Sequence, residues 1–357
     1  MNALNTTEST HGQAEPLELL PLDSAAPVEE IRRLFENNGF PRTAAYNNHI
    51  YRMRNGRAAV ACFYQHEGKL GGMYAAVPCE LQIDRQQVHG FQSLDTMVDT
   101  ACRGRGVFQK TALAHYAHLE SESYPVVYGF PNGNSFKGFQ KYLGWVFLDP
   151  VPFLVRPIRV SYFLKNRFLK ALARHVKVPA FGASRQVEFS QTLPAQARLH
   201  TLCEGFASTF RVGVARTPAF LKDRYTEVPH KQYQFATVSD AAGLQGLCVF
   251  CMEDKHGGKI GYVMELVYNP ACPKVRDTLL KAVVRRFSES GCDCALAWCF
   301  SHHSSYAGYL KNLFFPLPEK LRPIELHFGF RCFNPTYLPV LSDRKNWYVS
   351  YSDSDTV

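Results

Sequence analysis

Ser93–Trp145 reads SLDTMVDTACRGRGVFQKTALAHYAHLESESYPVVYGFPNGNSFKGFQKYLGW. Leu94–Val98 is a short apolar–polar run, the pattern of a strand with one buried face. Arg103-Gly104-Arg105-Gly106 is a glycine-rich turn with two positive charges. Val107–Glu120 places apolar residues at helical spacing. Strand, glycine turn and helix together cradle phosphate. The first helical N–H groups lack partners, and the helix dipole favours an anion there. Glycine lets backbone approach a ligand, and arginine supplies charge and planar donors. The spacing matches neither the dinucleotide G-x-G-x-x-G loop nor a Walker loop, which needs Gly-Lys-Ser/Thr.

The downstream half continues the pattern. Pro125–Phe130 reads as a second strand, Asn132-Gly133-Asn134-Ser135 as a turn and helix cap, and Phe136–Leu143 as a short helix closed by Gly144. The stretch resembles motif A of the GNAT superfamily of acyl-CoA N-acyltransferases, R/Q-x-x-G-x-G/A. Arg103 stands at its first position and Gly106 at its fourth, while Phe108 takes the sixth, where Gly or Ala is usual. GFPNGNS followed by FQKYLGW resembles that family's next strand–helix unit. The resemblance covers roughly residues 30–155. It implies acetyl-CoA or another acyl-CoA as cosubstrate, held by the Met97–Val98 backbone, by Arg103, Gly104, Arg105, Gly106, Val107 and Phe108 at the pyrophosphate, and by Asn132 and Asn134. In many members a tyrosine on the second helix serves the leaving thiolate. Gln140 stands at that position here and Tyr142 two residues on.

Amine acylation needs a group to take the ammonium proton. Asp95 and Asp99 lie four apart on a predicted strand and so share a face with Met97. Asp95, the deeper, is the candidate base; either aspartate could instead bond a neighbouring turn.

Outward from this stretch, the pattern is α/β. Pro27–Asn38 and Ala44–Met53 read as helices, the second with Tyr46 and Tyr51 facing inward. Residues 58–64, 71–78, 80–83 and 88–98 read as strands, with Glu67-Gly68 as a hairpin turn. Residues 1–15 are polar, without the apolar core of a secretory signal, and are expected to be a disordered tail. With 357 residues and 46% hydrophobic content, the chain fits two domains. No run of 18 apolar residues occurs. Eleven cysteines, an odd number without a paired framework, point to a reduced, cytoplasmic setting. Cys292, Cys294, Cys299, His302 and His303 match no common zinc spacing, and no metal is expected.

Residues 151–187 carry eight Lys and Arg and no acid, against a formal net charge of +9. Phe163, Leu164, Phe168, Leu169, Leu172 and Val176 recur at helical spacing. A basic amphipathic helix can lie on an anionic membrane or a nucleic acid. No nucleic-acid motif accompanies it, and the expectation is an inter-domain helix over 158–187 that does not bind vesicles.

Residues 188–357 repeat the first half at an offset of 170: Phe130, Ser135, Gly138, Lys141 and Leu143 are matched by Phe300, Ser305, Gly308, Lys311 and Leu313, and Asp95 by Glu265. The fold expected is therefore two GNAT-like lobes in tandem, residues 16–157 and 188–357, each a twisted mixed sheet flanked by helices. At the same offset Arg103–Gly106 falls on Pro273–Arg276, which has no glycine. A lobe without the phosphate cradle is free to wall an acceptor site, lined by Tyr268, His302, His303 and Tyr306. Three functions stay open. One is acylation of a small amine, such as an amino sugar or amino acid. A second is a ligase drawing on aminoacyl-tRNA, which would favour a degenerate first loop. The third is a non-catalytic binding or membrane-surface module.

Overall fold

Two tight turns set the first sheet. Glu67-Gly68 and Asp84-Arg85 both have two successive positive φ values, 52° and 74°, then 51° and 67°, the backbone of a two-residue hairpin turn. The second lies between the predicted strands 80–83 and 88–98, while the predicted break at residue 79 is absent: residues 69–83 form one long strand rather than two. The computed structural model describes residues 17–164, 166–173, 176–179, 186–229, 231–322 and 324–356. The tail expected over 1–15 lies outside them.

In the first half the order is β1 (Leu17–Pro21), α1 (Ala25–Asn37), α2 (Ala44–Ile50), β2 (Val60–His66), β3 (Lys69–Ile83), β4 (Gln86–Val98), α3 (Val107–Ser121), β5 (Val126–Gly129), α4 (Gly133–Tyr142) and β6 (Val146–Phe147). There follow β7 (Phe153–Pro157), α5 (Arg167–Leu172), β8 (Val187–Ser190), α6 (Gln196–Ala207), β9 (Val212–Val214), α7 (Pro218–Tyr225), β10 (Gln234–Asp240), β11 (Gly243–Lys255), β12 (Gly258–Tyr268), α8 (Pro273–Glu289), β13 (Cys294–Trp298), α9 (Ser305–Lys311), β14 (Phe315–Pro316), β15 (Gly329–Cys332) and α10 (Leu338–Ser342). The mixed sheets run β1-β2-β3-β4-β5-β15-β6, with β9 added to β3, and β14-β7-β13-β12-β11-β10-β8. From β1 and from β8 the two halves repeat the same order of elements apart from the short β9, as the internal repeat predicted.

The lobes exchange a strand, which the sequence reading missed. β7 follows β6 yet pairs with β13 of the second sheet, and β15 follows β14 yet pairs with β5 of the first. A cut at 157 therefore does not separate the two lobes. Each sheet needs a strand from the other half of the chain, which ties the lobes into one unit.

Helix packing corrects the alignment of the loops. A Cβ on Gly72 would lie 2.5 Å from Val107 Cγ1, and one on Gly246 would lie 2.5 Å from Val275 Cγ1. Here β3 meets α3 and β11 meets α8 so closely that only glycine fits. Val107 thus matches Val275, an offset of 168 rather than 170. The β4–α3 connection spans residues 99–106, whereas β12–α8 has only 269–272. The second lobe has not merely lost glycines; its loop is shorter by four residues.

Among the described residues, the basic segment does not form the inter-domain helix expected. Val160–Phe163 is a single 3-10 turn and α5 is one short helix. The chain then folds back, with Val178 N bonding Ile158 O and Val160 N bonding Val176 O at 2.8 and 3.2 Å. The result is a closed excursion from the edge of the second lobe.

Candidate active site

The site begins with a bulge. Ala75 faces Asp95 and Ala76 faces Ser93, so Leu94 is an extra residue in β4, and an extra residue bends its strand. The parallel pairing of β4 with β5 covers only Phe91–Ser93 against Val127–Gly129. Beyond it the strands part, and β4 runs on to Val98. The opening is a cleft of about 1060 Å³ lined by Met97, Val98, Arg103, Phe108, Asn132 and Asn134, among others. Six of the residues assigned to acyl-CoA therefore converge.

Gly104, Arg105 and Gly106 form the turn at one end of this cleft but are not part of its lining. Gly104 and Gly106 have φ of 80° and 73°, a conformation that favours glycine. Gly106 caps α3 without a side chain, so the first N–H groups of a four-turn helix are offered to an anion. Val107 is buried against β3 and packs rather than binds. Asn132 Oδ1 accepts from Asn134 N and Ser135 N at 3.1 and 3.2 Å; Asn132 is the cap of α4, one of the two roles open to it.

The catalytic assignments fare differently. Arg42 donates from Nη1 to Asp95 Oδ2 at 2.7 Å and from Nη2 to Asp95 Oδ1 at 2.8 Å, and the Tyr51 hydroxyl donates to Oδ2 as well. Asp95 is buried and both its oxygens are engaged. This is the anchor of an ion pair, not a base awaiting a proton. Asp99 lies past the end of β4 and caps the following turn through Ala101 N at 2.9 Å, with Asn38 Nδ2 at 3.2 Å. Tyr142 is 49% exposed at the end of α4 and lines no part of the cleft. The face of α4 that does so carries Asn134, Ser135, Gly138 and Phe139.

A second cavity of about 320 Å³ lies between the lobes, bounded by α2, β3, β4, α7 and the chain's tail. Tyr46, Leu94 and Asp355 line both openings, which makes the two contiguous. The tail is fixed from both lobes. Arg216 donates to both oxygens of Asp353 at 2.7 and 2.6 Å, and Arg224 donates to Ser352 O at 3.1 Å and Ser354 O at 2.7 Å. From the first lobe Gln92 Nε2 reaches Asp353 O at 3.1 Å. Asp355 is thereby carried to the junction. Its side chain is exposed to the cavity space while lying deep in the protein; that desolvation, with the nearby Asp95 charge, raises its pKa. Sequence reasoning missed this residue, since nothing local to SDSDTV connects it to a cleft 260 residues upstream.

The acceptor residues assigned from sequence lie elsewhere. In the second lobe β12 also diverges from β13, pairing only over Ile260–Tyr262. The tail runs along that gap, Ser350 Oγ on Glu265 Oε2 at 2.9 Å and Ser352 Oγ on Met264 O at 3.1 Å. His303 is buried with Nε2 against Thr209 Oγ1 at 3.2 Å, and burial pushes its pKa down to about 3. Tyr268 is buried against Ser304 Oγ at 2.7 Å. His302 Nε2 bonds Trp347 O at 3.0 Å, and Tyr306 packs half-buried against the core. None of the four lines either cavity. Because the second splay is filled by the chain itself, these residues pack against that filling instead of a substrate. Cys292, Cys294 and Cys299 are buried free thiols in and beside β13.

No protein-family model matches the chain, and no curated protein matches it. Solved structures do. N-myristoyltransferase from Saccharomyces cerevisiae with bound myristoyl-CoA superposes over 93% of this chain and 88% of its own, with TM-score 0.58 and 13% identity. A conserved protein of unknown function from Enterococcus faecalis, described as a probable N-acyltransferase, superposes over 89% and 73% with TM-score 0.61 and 10% identity. A GCN5-related N-acetyltransferase from Anabaena variabilis gives 89% and 73%, TM-score 0.59 and 14% identity. These likenesses establish the fold: two GNAT-like lobes in tandem, each a mixed sheet flanked by helices.

Proposed function

We propose that the chain is an acyl-CoA N-acyltransferase. In this reading acyl-CoA, in the simplest case acetyl-CoA, occupies the β4/β5 cleft, and a small amine enters through the cavity between the lobes. The observation that carries it is that a cleft ending in a glycine-rich helix N-terminus without a side-chain cap adjoins a second cavity, with the carboxylate of Asp355 lining both. The structural likeness to acyltransferases supports the same reading.

The chemistry follows from the residues at the junction. Asp355, with its raised pKa, takes the ammonium proton, directly or through water. The freed amine attacks the thioester carbonyl; the C–N bond forms, the C–S bond breaks, and the thiolate leaves. The nitrogen gives up its second proton and the sulfur takes one, so that amide and free thiol result. Asn134 and Ser135, on the first turn of α4, line the cleft and in this reading supply hydrogen bonds to the leaving sulfur. Arg42 and Asp95 hold β4 against α2, keeping Tyr46 and Leu94 between the two openings.

Thiol release from acetyl-CoA, and from longer acyl-CoA such as myristoyl-CoA, is the test. An amine-dependent release that vanishes in Asp355→Asn supports the proposal. Hydrolysis without amine dependence, or no release with any donor across a broad amine panel, counts against it.

A further inference from the structure

The inter-lobe cavity is cationic. Arg52, Arg54, Arg57, Arg224 and Lys231 line it, against the carboxylates of Glu80, Asp223 and Asp355. Much of this charge is already matched. Arg52 spends its three nitrogens on Asp223 and on the carbonyls of His49 and Asp223. Arg224 serves the tail carbonyls. Arg54 differs: it gives Nε to Asp223 Oδ2 at 3.1 Å, and its Nη1 is buried with no hydrogen-bond partner among the described residues. A buried guanidinium nitrogen left unpaired is costly. Its side chain is 21% exposed and lines the cavity, and a planar guanidinium held at Nε keeps further donors of the shape that receives a carboxylate or phosphate.

Resting on the acyl-transfer reading above, we infer that the acceptor amine also carries an anionic group, a carboxylate or a phosphate ester, which Arg54 binds with Lys231 supplying further positive charge. Asp355 stands in the same cavity, so one small molecule can present its anion to Arg54 and its amine to the junction. A neutral amino sugar would bring no anion to Arg54 and Lys231. This favours amino acids and amino phosphates over amino sugars.

The test compares matched acceptors that differ only in charge: L-amino acids with their carboxamides, and phosphoethanolamine with ethanolamine. In at least one series the anionic member should be preferred tenfold or more in kcat/KM. Arg54→Gln and, independently, Lys231→Met should raise its KM about tenfold or more with little change in kcat. Equal use of charged and neutral members overturns the inference, as does an unchanged KM in both variants. If nothing turns over, thermal shift decides: stabilisation by an anionic member but not its neutral partner supports the inference, and no such difference overturns it. A parallel acyl-CoA titration separates the layers. Binding of acyl-CoA without anionic preference sinks this inference alone, while absent acyl-CoA binding sinks the transfer reading.

The excursion between β7 and β8 carries a separate surface. Phe168 and Leu172 are 76% and 74% exposed, and Phe163, Leu169 and Val176 are exposed beside them. Arg167, Lys170 and Lys177 are exposed on the same excursion, in a stretch without an acid from 151 to 187. No helix among the described residues is long and apolar enough to cross a membrane. Exposed apolar side chains interspersed with exposed cations match an anionic bilayer, in which the rings enter the interface and the cations meet headgroups. We propose that this excursion docks the protein on an anionic lipid surface, reversing the expectation drawn from sequence, because the apolar residues assigned to an inter-domain contact face outward. The protein should sediment with vesicles of phosphatidylcholine and phosphatidylglycerol, not with phosphatidylcholine alone, and be released by salt. Phe168→Ser with Leu172→Ser should abolish sedimentation. No sedimentation, or self-association of the free protein that the same double variant removes, would overturn the proposal, the latter because a second copy would then be the occupant.

Discussion

Arg42 closes on Asp95 as a two-pronged ion pair, 2.7 and 2.8 Å, just ahead of α2. The second lobe repeats the device: Arg216, just ahead of α7, donates to Glu265 at 2.8 Å. Each arginine precedes a threonine, Thr43 or Thr217, whose hydroxyl caps the following helix. The pair pins the helix to the strand that splays.

Asp95→Asn should therefore act mainly on stability. It leaves the Arg42 guanidinium short of its partner in a largely buried place, a loss of about 3 kcal/mol or more. Denaturant midpoints check this. An unchanged midpoint together with abolished turnover would return Asp95 to the role of base.

Asp355→Asn should do the converse. Turnover should fall by roughly 10²–10⁴ with acyl-CoA affinity nearly intact. Because burial and the Asp95 charge raise the Asp355 pKa, the acid limb of the kcat/KM profile should lie above the ordinary carboxylate value of about 3.9. Steady-state rates across pH, with the variant alongside, test both points.

Much of the first lobe was legible because its signals are local: the strand, the Arg103–Gly106 turn and the helix adjoin one another, as do Asn132 and the helix it caps. The base was not. Arg42 and Tyr51 reach Asp95 across 53 and 44 positions, and Asp355 arrives from the far end of the chain. A carboxylate on a strand looks the same in sequence whether it is free or clamped. The strand exchange was equally hidden, since β7 and β15 have the same apolar pattern whichever sheet they join. The acceptor assignment to Tyr268, His302, His303 and Tyr306 failed for a related reason: no local feature tells that the tail would fill the second splay.

Stability should fall in mild acid. Burial holds His115 at about 4 and His303 at about 3, below the ordinary value of about 6.5. Both are neutral above that value in either state. As pH drops, the unfolded chain takes up two protons that the folded chain refuses, so stability present above about pH 6.5 is lost toward pH 4. The slope should approach roughly 2–3 kcal/mol per pH unit. Denaturation at pH 7, 6 and 5 measures it, and His115→Gln with His303→Gln should flatten the dependence.

The central claim is that one lobe, the first, binds acyl-CoA. Calorimetric titration of the whole chain with acetyl-CoA and with myristoyl-CoA tests it most directly, together with an Arg103→Glu, Gly106→Val variant that reverses a cleft charge and strains the left-handed turn. The account predicts one site per chain and a tenfold to hundredfold weaker one in the variant, about 1.5–3 kcal/mol. Two equivalent sites, or binding undiminished in the folded variant, would contradict it.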